Sequence, residues 1–326
     1  MKKFLCFVVA LNFVFLCGCS VKEAITSDKQ EYIVSVLGFD GEKGNVKITA
    51  EAIVINNDDL TEDKSARLFV GEGETVAEAY EKIIFSATQP LSLGHSAVAI
   101  IGLNLSSAQV EDVFSFLESQ EKINISIMLC AADSAFELLG CKPVSSVAVG
   151  YDIMSMVEVN EEKRGTLFKN RFYEVLALKS KPQSSFYLPF LKVGNQEIWV
   201  SGLSVFWENS LVKLINNEEI PLFCLARDSL SRGEFVLKGE NMKVEYSSVT
   251  YDFSFEDNLE ITLNVHFKAL GDKTFLKQKT ESFLKGYDVC SIGNIISQKE
   301  PEMWKKLKDN YNEIYKNANI RVNMYE

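Results

Sequence analysis

The sequence predicts a protein of the α/β class, mixed α+β, built as several domains in which mixed β-sheets are flanked by helices. Three observations lead there. Between residues 31 and 145, apolar runs with strand character alternate with segments of helical period, the order that layers helices on a sheet. From residue 185 onward β-character dominates, and the C-terminal stretch returns to helix before a closing strand. The chain has 326 residues, 47% of them hydrophobic. That is enough to bury a core, and length alone suggests two or three domains.

The chain opens on Met1-Lys2-Lys3, two lysines leading into an apolar run from Phe4 to Leu16. A transmembrane helix needs roughly 20 apolar residues, and this run is shorter and broken by Asn12. It reads as a signal peptide. Its end, "FLCGCS", carries Leu16-Cys17-Gly18-Cys19. This resembles the bacterial lipobox, an aliphatic residue at minus three and two small residues before the lipidated cysteine. Cys19 fits that pattern, because Gly18 precedes it and Leu16 stands at minus three. Cys17 does not, because bulky Leu16 would precede it directly. The expectation is a peptide 1–18 removed by cleavage, S-diacylglycerol and an N-acyl chain on Cys19, and a tether 19–30. One acyl chain holds a protein only marginally, whereas two anchor it stably at ~0.8 kcal/mol per buried methylene.

The elements then follow in order. "YIVSVLGFD" and "VKITAEAIVI" flank "GEKGN", a β-hairpin signal. "NNDDLTEDKS" reads as an acidic surface turn without the glycine and spacing of a calcium loop. "ARLFVGEGETVAEAYEKIIFSA" reads as strand, turn, helix, with Thr75 and Glu78 as a capping box. Val76, Ala79, Tyr80, Ile83, Ile84 and Ala87 recur at helical spacing. Gly71-Glu72-Gly73 serves backbone turning; its flanking glutamates would repel phosphate. "HSAVAIIG" is a strand. Ser106 and Gln109 cap a second helix whose apolar face is Val110, Val113, Phe114 and Leu117. "NISIMLCAA" is a strand, and Asp133 caps a short helix closed by Gly140. Residues 146–180 read as helical with a break at Arg164-Gly165. "SSFYLPFLKV" and "EIWVSGLSVFWENSLVKLI" are β-runs separated by a turn near Gly194-Asn195. "NNEEIPLFCLARDSL" reads as one helix with Pro221 near its start. Three further β-runs cover 233–239, 242–257 and 259–270. Helices follow at 272–288 and from Pro301 to Ala318. In the last, Trp304, Leu307, Tyr311, Ile314 and Tyr315 share one face. Residues 319–325 form the closing strand.

Loss of Lys2 and Lys3 with the peptide takes the formal net charge from -11 to -13. An acidic body argues against nucleic acid and against a broad electrostatic contact with anionic lipid. Cys130, Cys141, Cys224 and Cys290 lie in apolar settings without CxxC spacing. Buried thiols are the expectation, and a Cys130–Cys141 disulfide is the alternative that an extracytoplasmic compartment allows. The two histidines, His95 and His266, stand in no HxxxH or HExxH pattern, and no Gly-x-Ser-x-Gly elbow appears. No catalytic residue, metal ligand or cofactor site is expected.

Several stretches together resemble the Ger(x)C family, the lipoprotein C subunits of bacterial spore germinant receptors. The lipobox followed by "KEAITSDKQEYIVSVLGFD" is similar to the family's opening. "GEGETVAEAYEKIIFSATQPLSLGHSAVAIIG" and "FSFLESQEKINISIMLCAADSAFELLG" continue the likeness. "GLSVFWENSLVKLI" resembles the start of the family's C-terminal region, and "YDVCSIGNIISQKEPEMWKKLKDNYNEIYKNANIRVNM" its end. The order is collinear over nearly the whole chain. Two departures stand out: Ser20-Val21 replace the family's Trp-Asp after the lipidated cysteine, and the region around 266–286 is shorter.

The resemblance implies a non-enzymatic receptor subunit needed for nutrient-triggered germination. It would stand on the outer face of the spore inner membrane, held by acyl chains on Cys19, beside two integral membrane subunits, A and B. The alternative is an extracytoplasmic solute-binding lipoprotein of a transport system; a cell-wall enzyme ranks third. The expected organisation is 1–18 signal peptide, 19–30 lipidated tether, 31–199 N-terminal α/β region (with subdomains of about 31–145 and 146–199) and 200–326 C-terminal α+β domain.

Overall fold

The computed structural model describes residues 31–42, 44–54, 66–164, 170–181, 185–230, 233–237 and 239–325. The expected signal peptide, the tether with Cys19, the acidic turn 56–65 and Gly165 lie outside the described residues.

The fold is mixed α+β. The hairpin forms as its sequence predicts: β1 (Tyr32–Glu42) and β2 (Asn45–Val54) pair antiparallel up to Glu42↔Asn45. Strand β3 (Ala66–Gly73) pairs antiparallel with β2. Helix α1 (Val76–Ser86) then crosses back over β3. The Thr75 hydroxyl accepts from the Glu78 N–H at 3.2 Å, but the Glu78 carboxylate accepts from the Glu74 N–H instead of closing the box on Thr75. The glycines of β3 do not turn the chain. A Cβ on Gly71 would stand 2.0 Å from the Ala79 carbonyl oxygen, and one on Gly73 2.7 Å from the Ala79 nitrogen. They let α1 lie close on the strand. Ile84, expected on the apolar face, is 49% exposed, whereas Val76, Ala79, Tyr80 and Ile83 are buried.

The centre of the large sheet is parallel, where three later strands join β1 in one direction. After the short β4 (Leu91–Ser92), β5 (Val98–Gly102) pairs with β1, and β6 (Met128–Ala132) pairs with β5. Every residue of β5 and β6 is buried, the mark of strands covered on both faces. Helix α2 (Ser107–Ser119) joins them. Its capping box is complete: the Ser106 N–H donates to the Gln109 side chain at 2.9 Å, and the Gln109 N–H to the Ser106 hydroxyl at 3.3 Å. Helix α3 (Ala135–Leu139) is capped by Ser134 and not by Asp133. Helix α4 (Val149–Arg164), the two-residue β7 (Asn170–Arg171) and α5 (Phe172–Lys179) follow.

Strands β8 (Ser185–Gly194), β9 (Glu197–Trp207) and β10 (Ser210–Asn216) complete the large sheet. Asn195-Gln196 and Glu208-Asn209 have positive φ (53°, 64°, 45° and 65°), the signature of two-residue type I′ hairpins. The second turn splits the long β-run expected over 197–215. Among the described residues the ten-stranded sheet has the order β10-β9-β8-β6-β5-β1-β2-β3, with β4 beside β1 and β7 beside β6. Residues 199 and 200, the expected domain boundary, fall inside β9.

Helix α6 (Ile220–Ala226) is shorter than expected and wholly buried. The second sheet has the order β11 (Gly233–Leu237), β12 (Glu240–Phe255), β13 (Leu259–Leu270), β14 (Asn319–Tyr325). Its last pairing is parallel. Helix α7 (Lys273–Leu284) starts at Asp272, whose carboxylate accepts from the Phe275 N–H at 3.0 Å. Helix α8 (Ile292–Lys299) follows. The helix expected over 301–318 is two helices, α9 (Pro301–Leu307) and α10 (Tyr311–Lys316), joined by a 3₁₀ turn at Lys308–Asn310. The expected face is real but uneven: Leu307, Tyr311 and Tyr315 are buried, whereas Trp304 and Ile314 are half-buried.

Two apolar cores result. One lies between the large sheet and α1, α2 and α5. The other lies between the opposite face of that sheet, α3, α4, α6 and the second sheet with its C-terminal helices.

Candidate functional site

Cys19, the expected lipidation site, lies outside the described residues. The two histidines are far apart in the fold. His95 is exposed in the turn before β5, and His266 is exposed on β13 with its ring stacked on Tyr325, centroids 4.9 Å apart. Among the described residues no group of three or more His, Cys, Asp or Glu side chains is placed to hold a metal ion. None of the four described cysteines is in a disulfide, and Cys130, Cys224 and Cys290 are buried. Burial pushes the Cys224 and Cys290 thiols up to about 12, so both stay protonated and poorly nucleophilic at neutral pH.

The buried carboxylates share one task. Asp40, near the end of β1, accepts from the Ala135 and Phe136 N–H groups at 2.9 and 2.8 Å, at the start of α3. Glu51 on β2 accepts from the Val149 and Gly150 N–H groups at 2.9 and 3.1 Å, at the start of α4, and from the Ser35 hydroxyl at 2.6 Å. Asp288 accepts from the Ile292 and Gly293 N–H groups, each at 2.7 Å, at the start of α8, and from the Tyr311 hydroxyl at 2.8 Å. The first-turn N–H groups of a helix have no partner within it, and the helix dipole favours an anion there. Burial raises the Asp40 and Asp288 carboxyls above the ordinary range, and these N–H donors pull them partly back. Each carboxylate is committed to positioning a helix. Sequence reading missed all three, because the acid and the helix it holds are distant in the chain for Asp40 and Glu51. For Asp288 the signal was local: an acid four residues ahead of an apolar helix start.

Two surface features remain. A cleft of about 460 Å³ lies between α4, the 142–145 loop and the β8–β9 turn, with Val144, Met156, Val159 and Ile198 among its lining. Asp152 at its edge accepts from the Val144 N–H at 2.5 Å and the Ser145 hydroxyl at 2.7 Å. Burial raises this carboxyl, but those donors outweigh it and hold it below the usual range. The other feature is the end of the large sheet where β1, β5 and β6 begin. Phe85 there is 85% exposed and Ile125 61%. Both features are suited to contact with other molecules.

Residues 29–193 match the family model of the spore germination protein N-terminal domain, and residues 272–325 match that of the spore germination B3/GerAC-like C-terminal domain. The chain is 22% identical over 251 residues to spore germination protein GerQC of Bacillus cereus, covering 76% of this chain and 67% of that protein. It superposes on the crystal structure of the GerBC protein with a TM-score of 0.53 and 13% identity, over 88% of this chain and 95% of that one. At that identity the structural likeness speaks for the fold.

Proposed function

The chain belongs to the Ger(x)C family of spore germination proteins, the C subunits of germinant receptors, and from that premise we propose that it is a lipid-anchored receptor subunit working through protein contacts. It stands on the outer face of the spore inner membrane, held by acyl chains on Cys19, and assembles with the integral membrane subunits A and B. It carries out no catalysis of its own. The observation that carries this reading is the match of family models to both ends of the chain, residues 29–193 and 272–325. The lipobox supports the anchor. Among the described residues no helix is long and apolar enough to cross a membrane, and a body of charge -13 gains nothing electrostatically from anionic lipid. The solute-binding alternative has no comparable support. We divide the body after Asn216, where the large sheet ends.

Mass spectrometry of the mature N-terminus tests the anchor. The expected species begins at Cys19 with a diacylglyceryl thioether; Cys19 still joined to Gly18 and unmodified would overturn it. Cys19→Ala is expected to move the protein from the membrane fraction to the soluble one. Affinity purification of the tagged subunit from detergent-solubilised membranes is expected to bring down both membrane subunits, and recovery of neither would remove the assembly reading.

A further inference from the structure

The described chain begins at a particular end of the large sheet. Strands β1, β5 and β6 run parallel, so their N-terminal ends point the same way. Tyr32 opens β1 at that end. Its N–H donates to the Pro90 carbonyl at 2.9 Å, and its hydroxyl lies 2.8 Å from the Thr88 hydroxyl. Thr88 is three residues past Phe85, in the connection that leaves α1. The connection from α2 into β6 reaches the same end, where the Tyr173 N–H donates to the Ile125 carbonyl at 3.1 Å. Four large apolar side chains are exposed on this rim: Phe85 at 85%, Ile125 at 61%, Ile84 at 49% and Tyr173 at 45%. Ile84 and Phe85 sit in the last turn of α1, off the face that Val76, Ala79, Tyr80 and Ile83 bury, so the sequence spends two large apolar residues there without covering them.

We propose that this rim is the membrane-facing surface of the protein, with Phe85 and Ile84 entering the boundary between lipid headgroups and acyl chains beside the anchor. The proposal rests on the anchoring reading above. The twelve residues from Cys19 to Gln30 span at most about 40 Å when fully extended, at 3.3–3.6 Å each. A body of this size has a radius of gyration of about 19 Å, so acyl chains on Cys19 draw the Tyr32 end toward the bilayer ahead of the opposite end. A lipid surface is the occupant that fits. The contact is apolar, the body is acidic, and burial of aromatic and aliphatic side chains at the interface needs no basic face. Phe136 marks the opposite end. It is 43% exposed, and its N–H donates to Asp40, eight residues and so about 26 Å along β1 from Tyr32.

The test uses tryptophan emission in phosphatidylglycerol vesicles with brominated acyl chains, which quench only indoles at the bilayer. Parent, Phe85→Trp and Phe136→Trp chains are prepared in two forms. One is the full chain made in a lipidating host. The other carries a hexahistidine tag in place of residues 1–18 and is held on nickel-chelating lipid in the same vesicles. The parent supplies the background of Trp199, Trp207 and Trp304. The expected result is that the emission added by Phe85→Trp is lost in brominated vesicles and kept in unbrominated ones, while that added by Phe136→Trp is kept in both. Equal responses of the two variants, or loss at Phe136→Trp alone, would overturn the proposal. Failure of the anchor appears separately, as full-chain protein that does not float with vesicles, while the tagged form still reports which end meets lipid.

Discussion

The central strands of the large sheet and those of the small sheet bury their side chains in opposite ways. β5 and β6 are buried at every position. β13 alternates: Leu259, Ile261, Leu263, Val265 and Phe267 are buried, and Glu260, His266 and Lys268 between them are exposed. A strand covered on both faces reads as a continuous apolar run, and one with a solvated face as a period of two. The polar face of the small sheet is stitched across strands, with Asn264 donating to Asp252 at 2.6 Å and Asn323 donating to Asn264 at 3.0 Å. The central strands β5 and β6 of the large sheet have no open face for a partner. The sheet's surfaces for contact are its edges and its rims, and that is where its exposed large apolar residues stand.

Substitutions ranked by effect test that contrast. Tyr311→Ala in the one-sided layer is expected to cost most, about 3–5 kcal/mol in a urea melt, because Tyr311 is 1% exposed and donates to a buried carboxylate. An unchanged melt would mean that the C-terminal helices do not cover the small sheet. Gly71→Ala in the large sheet should cost about 3 kcal/mol, since the added methyl meets a backbone carbonyl at 2.0 Å and overpacking of this kind costs about 1–3 kcal/mol. A neutral Gly71→Ala would show that α1 is free to lift from β3. Trp304→Ala should cost about 2 kcal/mol, near half the value for a fully buried indole. Trp304 is half-buried against the edge of Tyr311, with centroids 5.3 Å apart.

The next effect is one of slope. Burial raises the Asp288 carboxyl above its ordinary value, so the folded chain holds this proton more tightly than the unfolded one. The group's contribution to stability is full below the unfolded value of about 3.9 and is lost as pH rises through the folded value. As pH rises above about 4, the parent's melting midpoint should therefore fall more steeply than that of Asp288→Asn. Asp40 is raised as well, but it is common to both proteins and cancels in the difference. Parallel slopes would assign the pH response elsewhere. Smallest of all, Phe85→Ser should leave the melt within about 0.5 kcal/mol of the parent, which separates a surface kept for contact from one kept for folding.

The parts of the fold legible in the sequence were those whose cause is local. The β1–β2 hairpin, the Ser106–Gln109 box, the Gly140 stop and the alternation of β13 each follow from residues a few positions apart. The misread parts have distant causes. Gly71 and Gly73 are small because α1 passes over them, not because the chain turns there. The 301–318 segment has one helical period, yet Lys308–Asn310 tightens into a 3₁₀ turn, and Tyr311 restarts the helix with its hydroxyl on Asp288. Ile84 satisfies the period of α1 and still faces outward, because the narrow face that meets β3 is already filled by Ile83, the residue beside it, which is fully buried next to Gly71. The surfaces for contact were illegible for the same reason: which apolar residues stay uncovered depends on where the layers end.

The first residue of β8 sets the order in which the molecule is completed. The Ser185 N–H donates to the Ser291 hydroxyl at 2.9 Å, and the Ser185 hydroxyl donates to the Asp288 carbonyl at 2.9 Å, partners 106 and 103 positions later in the chain. All of these groups are buried. During synthesis from the N-terminus, the start of β8 waits with its polar groups open until α8 exists to receive them. Closing a loop of that length is slow relative to hairpin formation. The large sheet thus finishes only once the last eighth or so of the chain, from Asp288 onward, has docked, and a protein truncated before Asp288 would be left unsealed at the start of β8 rather than merely shortened at its end.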